Sequence, residues 1–271
     1  MINTFVAPVE SFLSPVQDPF FLKSTEDEEI NPKSNIHSLI KTNIHPLIKT
    51  NNHSDLKKIL KTDIDLELRD PDSFNTPLET AIIHKSRECF GLLIQAKANV
   101  NAYDGWNISS TPLIHACARG DLEMVKSLVK YKANVNLMSP RGYYPLHAAF
   151  ASPDILKFLI SKGAGANEHG TIGLIFASTT STDPTYTPLH FAAQAAMVKS
   201  VGYLIEVNSE QKSHRGGIDQ KTPLELAEER RNSLISEYPN EKAKRRRYNK
   251  VINILSDAPP RIKISPKEFQ K

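Results

Sequence analysis

The sequence predicts an all-α fold, a solenoid of helix–turn–helix units joined by short hairpin-like turns, and three observations carry that prediction. A proline-leucine triplet recurs at Thr76-Pro77-Leu78, Thr111-Pro112-Leu113, Tyr144-Pro145-Leu146, Thr187-Pro188-Leu189 and Thr222-Pro223-Leu224, at spacings of 35, 33, 43 and 35 residues. A second amphipathic segment then ends in an aliphatic pair at Leu93-Ile94, Leu128-Val129, Leu159-Ile160 and Leu204-Ile205. The closing segments are alike at Lys97-Ala98-Asn99-Val100-Asn101, Lys132-Ala133-Asn134-Val135-Asn136 and Gly163-Ala164-Gly165-Ala166-Asn167. Self-similarity at this period is the signature of stacked units, each of which buries its apolar face only against its neighbours.

Each element has a local reason to form. Threonine ahead of the proline can accept a backbone N–H as a helix cap, and proline suits the first helical turn because its missing donor would be unpaired there anyway. Ala81, Ala116, Ala149 and Ala192 lack bulk, so the first helix of one unit can lie close against the next, while Leu78, Leu113, Leu146 and Leu189 fill the space between. Positions 97, 132 and 163 follow the second helix, where a left-handed turn favours glycine; the lysines at 97 and 132 depart from that preference at some cost in stability.

The pattern resembles the ankyrin-repeat family over about residues 44 to 256, with the fullest matches at Thr187-Pro188-Leu189-His190-Phe191-Ala192-Ala193 and Pro145-Leu146-His147-Ala148-Ala149. The resemblance implies that His147 and His190 hydrogen-bond backbone across repeats, and that Asn101, Asn136 and Asn167 tie down turns. It also implies a protein-binding surface made of turn tips and the exposed side of the first helices.

The expected organisation is an acidic, flexible arm over 1–35 with Glu26-Asp27-Glu28-Glu29, a degenerate capping repeat over 36–74, and an ankyrin-repeat domain over 75–256. Its repeats fall near 75–107, 108–143, 144–168, 186–218 and 219–256, with an insertion at 169–185 expected to project as a long loop or hairpin, and a tail over 257–271. The near-duplication of Ile36–Asn43 as Ile44–Asn51 leaves the register of the first helix open. Thr222 to Glu229 reads as a short first helix, and Glu241 to Leu255 as the helix that closes the stack.

Composition narrows the function. The chain is 39% hydrophobic and 24% charged with a net charge of +4, the balance of a folded globular protein with mixed surface charge, so nucleic acid is not an expected partner. No apolar run is long enough to span a bilayer, and the first thirteen residues lack the basic start and apolar stretch of a signal peptide, so membrane insertion is not expected and a cytoplasmic location is. Cys89 and Cys117 sit in helical apolar patterns without ligand-spaced neighbours, which fits a reducing compartment and no metal site. No phosphate loop, nucleophile elbow, metal-spaced cluster or paired carboxylate occurs, so the chain is read as a non-enzyme with no cofactor and no small-molecule substrate, and as a monomer.

Carried onto this sequence position by position, the family's binding surface comprises turn-tip residues Phe74, Trp106, Asn107, Arg141, Tyr143 and Tyr186 and inner-helix residues His84, Arg119 and Gln194. Aromatic and arginine side chains dominate interface energetics, which singles out Trp106 with Arg119 and Tyr143; the competing reading packs Trp106 into the turn before Thr111. The basic cluster Lys242, Lys244, Arg245, Arg246 and Arg247 reads either as a solvated helix face or as a nuclear-import signal. The leading functional reading is an adaptor, scaffold or effector that binds one protein partner. A nuclear or chromatin-directed regulator using residues 242–247, and a host-directed bacterial effector acting in a host cytosol through an unrecognised activity, are the alternatives.

Overall fold

The computed structural model describes residues 43–103, 110–140, 143–165, 170–171, 185–216 and 220–256. The chain divides into two compact units, Met1–Ile108 and Ser109–Lys271. In the first unit α1 (His45–Lys49) and α2 (His53–Ile59) form one helix pair, and α3 (Pro77–Ile83) and α4 (Arg87–Gln95) the next. The first helices α1 and α3 pack together, as do the second helices α2 and α4, so the pairs form two layers. The second copy of the duplicated octapeptide supplies α1; its helix carries the fully buried Ile48, beside buried Ile44 at the cap.

The second unit repeats this arrangement four times. Its helices are α5 (Pro112–Ala118), α6 (Leu122–Lys130), α7 (Pro145–Ala148), α8 (Pro153–Ser161), α9 (Pro188–Gln194), α10 (Val198–Val207), α11 (Pro223–Glu237) and α12 (Lys242–Ser256). α5, α7, α9 and α11 stack as one layer, and α6, α8, α10 and α12 as the other. The alanines at 81, 116, 149 and 192 are all fully buried, and so are the leucines at 78, 113, 146 and 189, as close packing of neighbouring helices demands.

Local chemistry sets the helix starts. Thr76 accepts the Glu79 N–H at 3.3 Å while its own N–H donates to Glu79 Oε2 at 2.8 Å, and Thr222 and Glu225 make the same reciprocal pair at 3.2 and 2.7 Å. Thr111 accepts from Ile114 N at 3.2 Å. At Tyr144 and Thr187 the third-position partner is a histidine, whose Nδ1 accepts the backbone N–H at 3.3 and 3.1 Å. The carboxylate partners, Glu79 and Glu225, were not singled out in the sequence.

Lys97 and Lys132 do occupy left-handed backbone, at φ 68 and 74, where Gly163 sits at φ 88 in the third closing turn. The third repeat departs from its siblings. α7 has only four residues and continues as a 3-10 turn over Ala149–Ala151, because Ser152 is held extended ahead of Pro153 and cannot continue the helix. The insertion closes at its base as an antiparallel pair of two-residue strands, β1 (Gly170–Thr171) and β2 (Thr185–Tyr186), with Gly170 opposite Tyr186. Its span 172–184, with the arm 1–35 and the tail 257–271, lies outside the described residues. α11 corrects an expectation: it runs to Glu237 instead of ending near Glu229, because Leu234 remains buried against its neighbours and holds two further turns.

Candidate functional site

In the first unit, the exposed Phe74 stands in a tight turn at φ 54, closed by Phe74 N–H to Asp70 O at 2.8 Å and Asp70 N–H to Asn75 O at 2.9 Å. Arg69 braces the turn by donating to Phe74 O at 3.0 Å and to Tyr103 O at 2.8 Å. His84 caps the C-terminus of α3 and is exposed. Beneath the turn, Asp70 Oδ1 accepts the Asp72 and Ser73 N–H groups at 3.0 and 2.9 Å while Oδ2 meets Lys49 Nζ at 2.8 Å. Burial pushes this carboxyl upward, but the ammonium and the two backbone donors outweigh it and hold the group at about 2. His45, fully buried, has Nδ1 2.8 Å from Thr80 Oγ1 and Nε2 2.8 Å from Leu68 O; burial lowers its pKa, so the neutral ring is favoured. Sequence reasoning missed this network, since the duplicated octapeptide that contains His45 was not read as carrying a polar contact and Asp70 lies outside the repeated triplets and closing segments.

In the second unit the turn tips pack instead of projecting. The Tyr186 ring stacks on His190 at 5.1 Å and meets Phe191 edge-on at 5.9 Å; Tyr143 lies 6.0 Å from Phe191, which also stacks on Phe150 at 5.9 Å. His190 Nδ1 engages Thr187 at 2.8 Å, and Nε2 reaches the carbonyls of His214 and Lys221 at 3.1 and 3.2 Å, so one imidazole ties the start of α9 to the next turn. Asn136 does comparable work: Nδ2 donates to Gly163 O at 3.0 Å, and Oδ1 accepts from Gly165 N at 3.4 Å.

Arg119 caps the C-terminus of α5, half-buried, with its Nε shielded from water and without a hydrogen-bond partner among the described residues. Gln194 does not share that register. It is the last residue of α9, one position before the cap, and its carbonyl accepts the Tyr248 hydroxyl of α12 at 2.7 Å. Trp106, Asn107 and Arg141 lie outside the described residues.

A family model described as ankyrin repeats (3 copies) matches residues 105–169. The chain is 29% identical over 148 residues to ankyrin repeat protein nuc-2 of Neurospora crassa, covering 54% of this chain and 12% of that protein. Residues 105–169 of the chain are ankyrin repeats. Other relatives include the probable 26S proteasome regulatory subunit p28 of Saccharomyces cerevisiae, 27% identical over 158 residues, 55% of this chain and 62% of that protein. Mouse protein phosphatase 1 regulatory subunit 27 is 43% identical over 65 residues, 22% of this chain and 42% of that protein. The chain therefore spans less than two thirds of each of these relatives.

Within this ankyrin-repeat chain, both cysteines are free and buried, and burial raises the Cys89 thiol to about 11 and the Cys117 thiol further still, so neither is a thiolate near neutrality. Among the described residues no group of three metal-ligating side chains converges, and no helix is long and apolar enough to cross a membrane. The basic residues Lys242, Lys244, Arg245, Arg246 and Arg247 form the first six positions of α12 together with Ala243.

Proposed function

We propose that this ankyrin-repeat protein is a non-catalytic adaptor that holds a protein partner on the inner face of its second unit, with Arg119 as the charged anchor. The observation that carries the proposal is the state of Arg119. The guanidinium is planar and only half-buried, so its outer N–H groups can receive a partner's carboxylate in fork geometry. Ankyrin repeats bind protein partners, and the relatives named as regulatory subunits support a reading without catalysis. Tyr143 and Tyr186 flank the row as rigid aromatic surface, anchored by Phe191 and His190 and so presented at little entropic cost.

The test is cross-linking capture from a eukaryotic lysate with the wild-type chain and an Arg119→Ala variant whose thermal unfolding matches wild type. A protein recovered by wild type and lost with the variant supports the anchor. Recovery of the same protein at the same yield by both sinks it.

A further inference from the structure

The last helix pair is built differently from the rest. α3, α5 and α9 have seven residues each, whereas α11 has fifteen; α12 also has fifteen, against nine or ten in α4, α6, α8 and α10. The additional eight residues make α11 about 12 Å longer than α5 and α9, at 1.5 Å per residue. Leu234, midway along the added residues of α11, and Tyr248 of α12 are both buried. Beyond them almost everything is solvated, including Ile235 at 44% and Tyr238 at 51% exposure.

The charge where the two helices join is one-sided. Residues 231–247 hold six cations and two carboxylates, and so account for a net +4, the formal charge of the whole chain. α12 contains no acidic residue at all. Lys242, Arg246 and Lys250 fall at i, i+4 and i+8, on the side of the helix away from buried Tyr248, Val251, Ile252 and Leu255. Like charges at this spacing repel, and cations in a first turn oppose the helix macrodipole. Apart from the carboxylate of Glu241 at the start of the helix, little offsets this: among the described residues no ion pair reaches Lys242, Lys244, Arg246, Arg247 or Lys250, and Arg245 donates one N–H to Pro239 O at 2.9 Å. A local rule broken with little internal compensation marks a surface shaped by something other than stability.

We propose that this helix pair is a second docking surface, separate from the Arg119 row, for an acidic helical segment of a partner protein. Lys242, Arg246 and Lys250 present cations about 6 Å apart, and a partner helix with glutamates four residues apart presents carboxylates at the same interval. Ile235 and Tyr238 add the apolar and aromatic area that protein interfaces favour. A nucleic-acid backbone fits less well, because Glu237 and Glu241 stand at the tip against a continuous row of phosphates. A membrane surface fits less well again, because the apolar face of α12 is already spent on α10 and α11. The cluster therefore works as a folded helix surface. Its use as an extended import peptide would require unwinding the turns that hold Tyr248.

The full chain is titrated at about 0.15 M salt into four fluorescent probes. These are a synthetic peptide helix with glutamate at every fourth position and leucine beside it, its glutamine counterpart, a mixed-sequence DNA duplex, and phosphatidylserine vesicles. The glutamate peptide is expected to bind at least tenfold more tightly than the other three. A triple Lys242→Gln, Arg246→Gln, Lys250→Gln variant is expected to lose that advantage while its thermal transition rises, because repulsion along α12 has been relieved. An Ile235→Ser, Tyr238→Ser variant should weaken the peptide several-fold, and Arg119→Ala should leave it unchanged, so that failure of the adaptor reading and failure of this one are distinguishable. Equal binding of the glutamine peptide, preference for duplex or vesicle, or a triple variant that keeps its affinity overturns the proposal. A triple variant that melts lower also overturns it, since the cations would then be structural.

Discussion

The Lys49 ammonium lies 2.8 Å from the Asp70 carboxylate, whose side chain retains only 2% of its exposure. Asp70 thereby joins α1 to the turn below Phe74, and its two backbone hydrogen bonds shape that turn. Asp70→Ala leaves Lys49 and two N–H donors without their acceptor. The cost should be on the order of 3 kcal/mol, appropriate to breaking a buried pair from one side. Hydrogen exchange of the amides in α1 and α3 measures it; protection equal to wild type would mean that the pair is solvated in solution.

Acid should weaken the first unit in two stages. His45 and Asp70 both have folded pKa values below their ordinary ones, so each contributes stability that is present above its ordinary pKa and lost as pH falls. The His45 part begins to go below about 6.5, as the buried neutral ring is forced to take a proton; the Asp70 part goes between about 3.8 and about 2. His45→Gln is expected to remove the first slope and leave the second. An urea-unfolding series against pH reads both, and an unchanged first slope would assign it to other groups.

Lys97 pays for a left-handed conformation that glycine adopts freely. Lys97→Gly should raise stability by about 0.5 to 1 kcal/mol even though it removes a side chain. A fall in the denaturation midpoint would show that the lysine stem packs usefully against its surroundings.

His190 is fully buried and satisfies both ring nitrogens against two different repeats. His190→Ala strips the Thr187 cap and leaves the carbonyls of His214 and Lys221 short of a donor, for an expected loss of about 3 kcal/mol. The thermal transition should also broaden, because the α9 and α11 repeats would be less tightly coupled. A loss under 1 kcal/mol would mean that water replaces the imidazole at both carbonyls.

Much of this architecture was legible before any coordinates. The triplets, the alanine and leucine rows and the left-handed closing turns report themselves because each depends on residues close in sequence, and repetition multiplies a weak signal five times. The candidate binding residues were harder. His84 and Arg119, read as inner-helix residues, stand at the C-caps of α3 and α5, whereas Gln194 stands one residue before the cap of α9, and composition gave no hint that Tyr143 and Tyr186 would lie against Phe191.

What the sequence by itself determined is the repeating unit: where helices start, where they turn, and which faces are apolar. These follow from backbone capping and side-chain periodicity, which act within a dozen residues. Only the tertiary structure decided that Asp70 would be buried beside Lys49, that the Arg119 Nε would be shielded with no partner among the described residues, and that α11 and α12 would be longer than the other helices of their unit. Burial and pairing are properties of what the neighbouring repeat brings to a side chain, and that is set by packing across distances that no local pattern records.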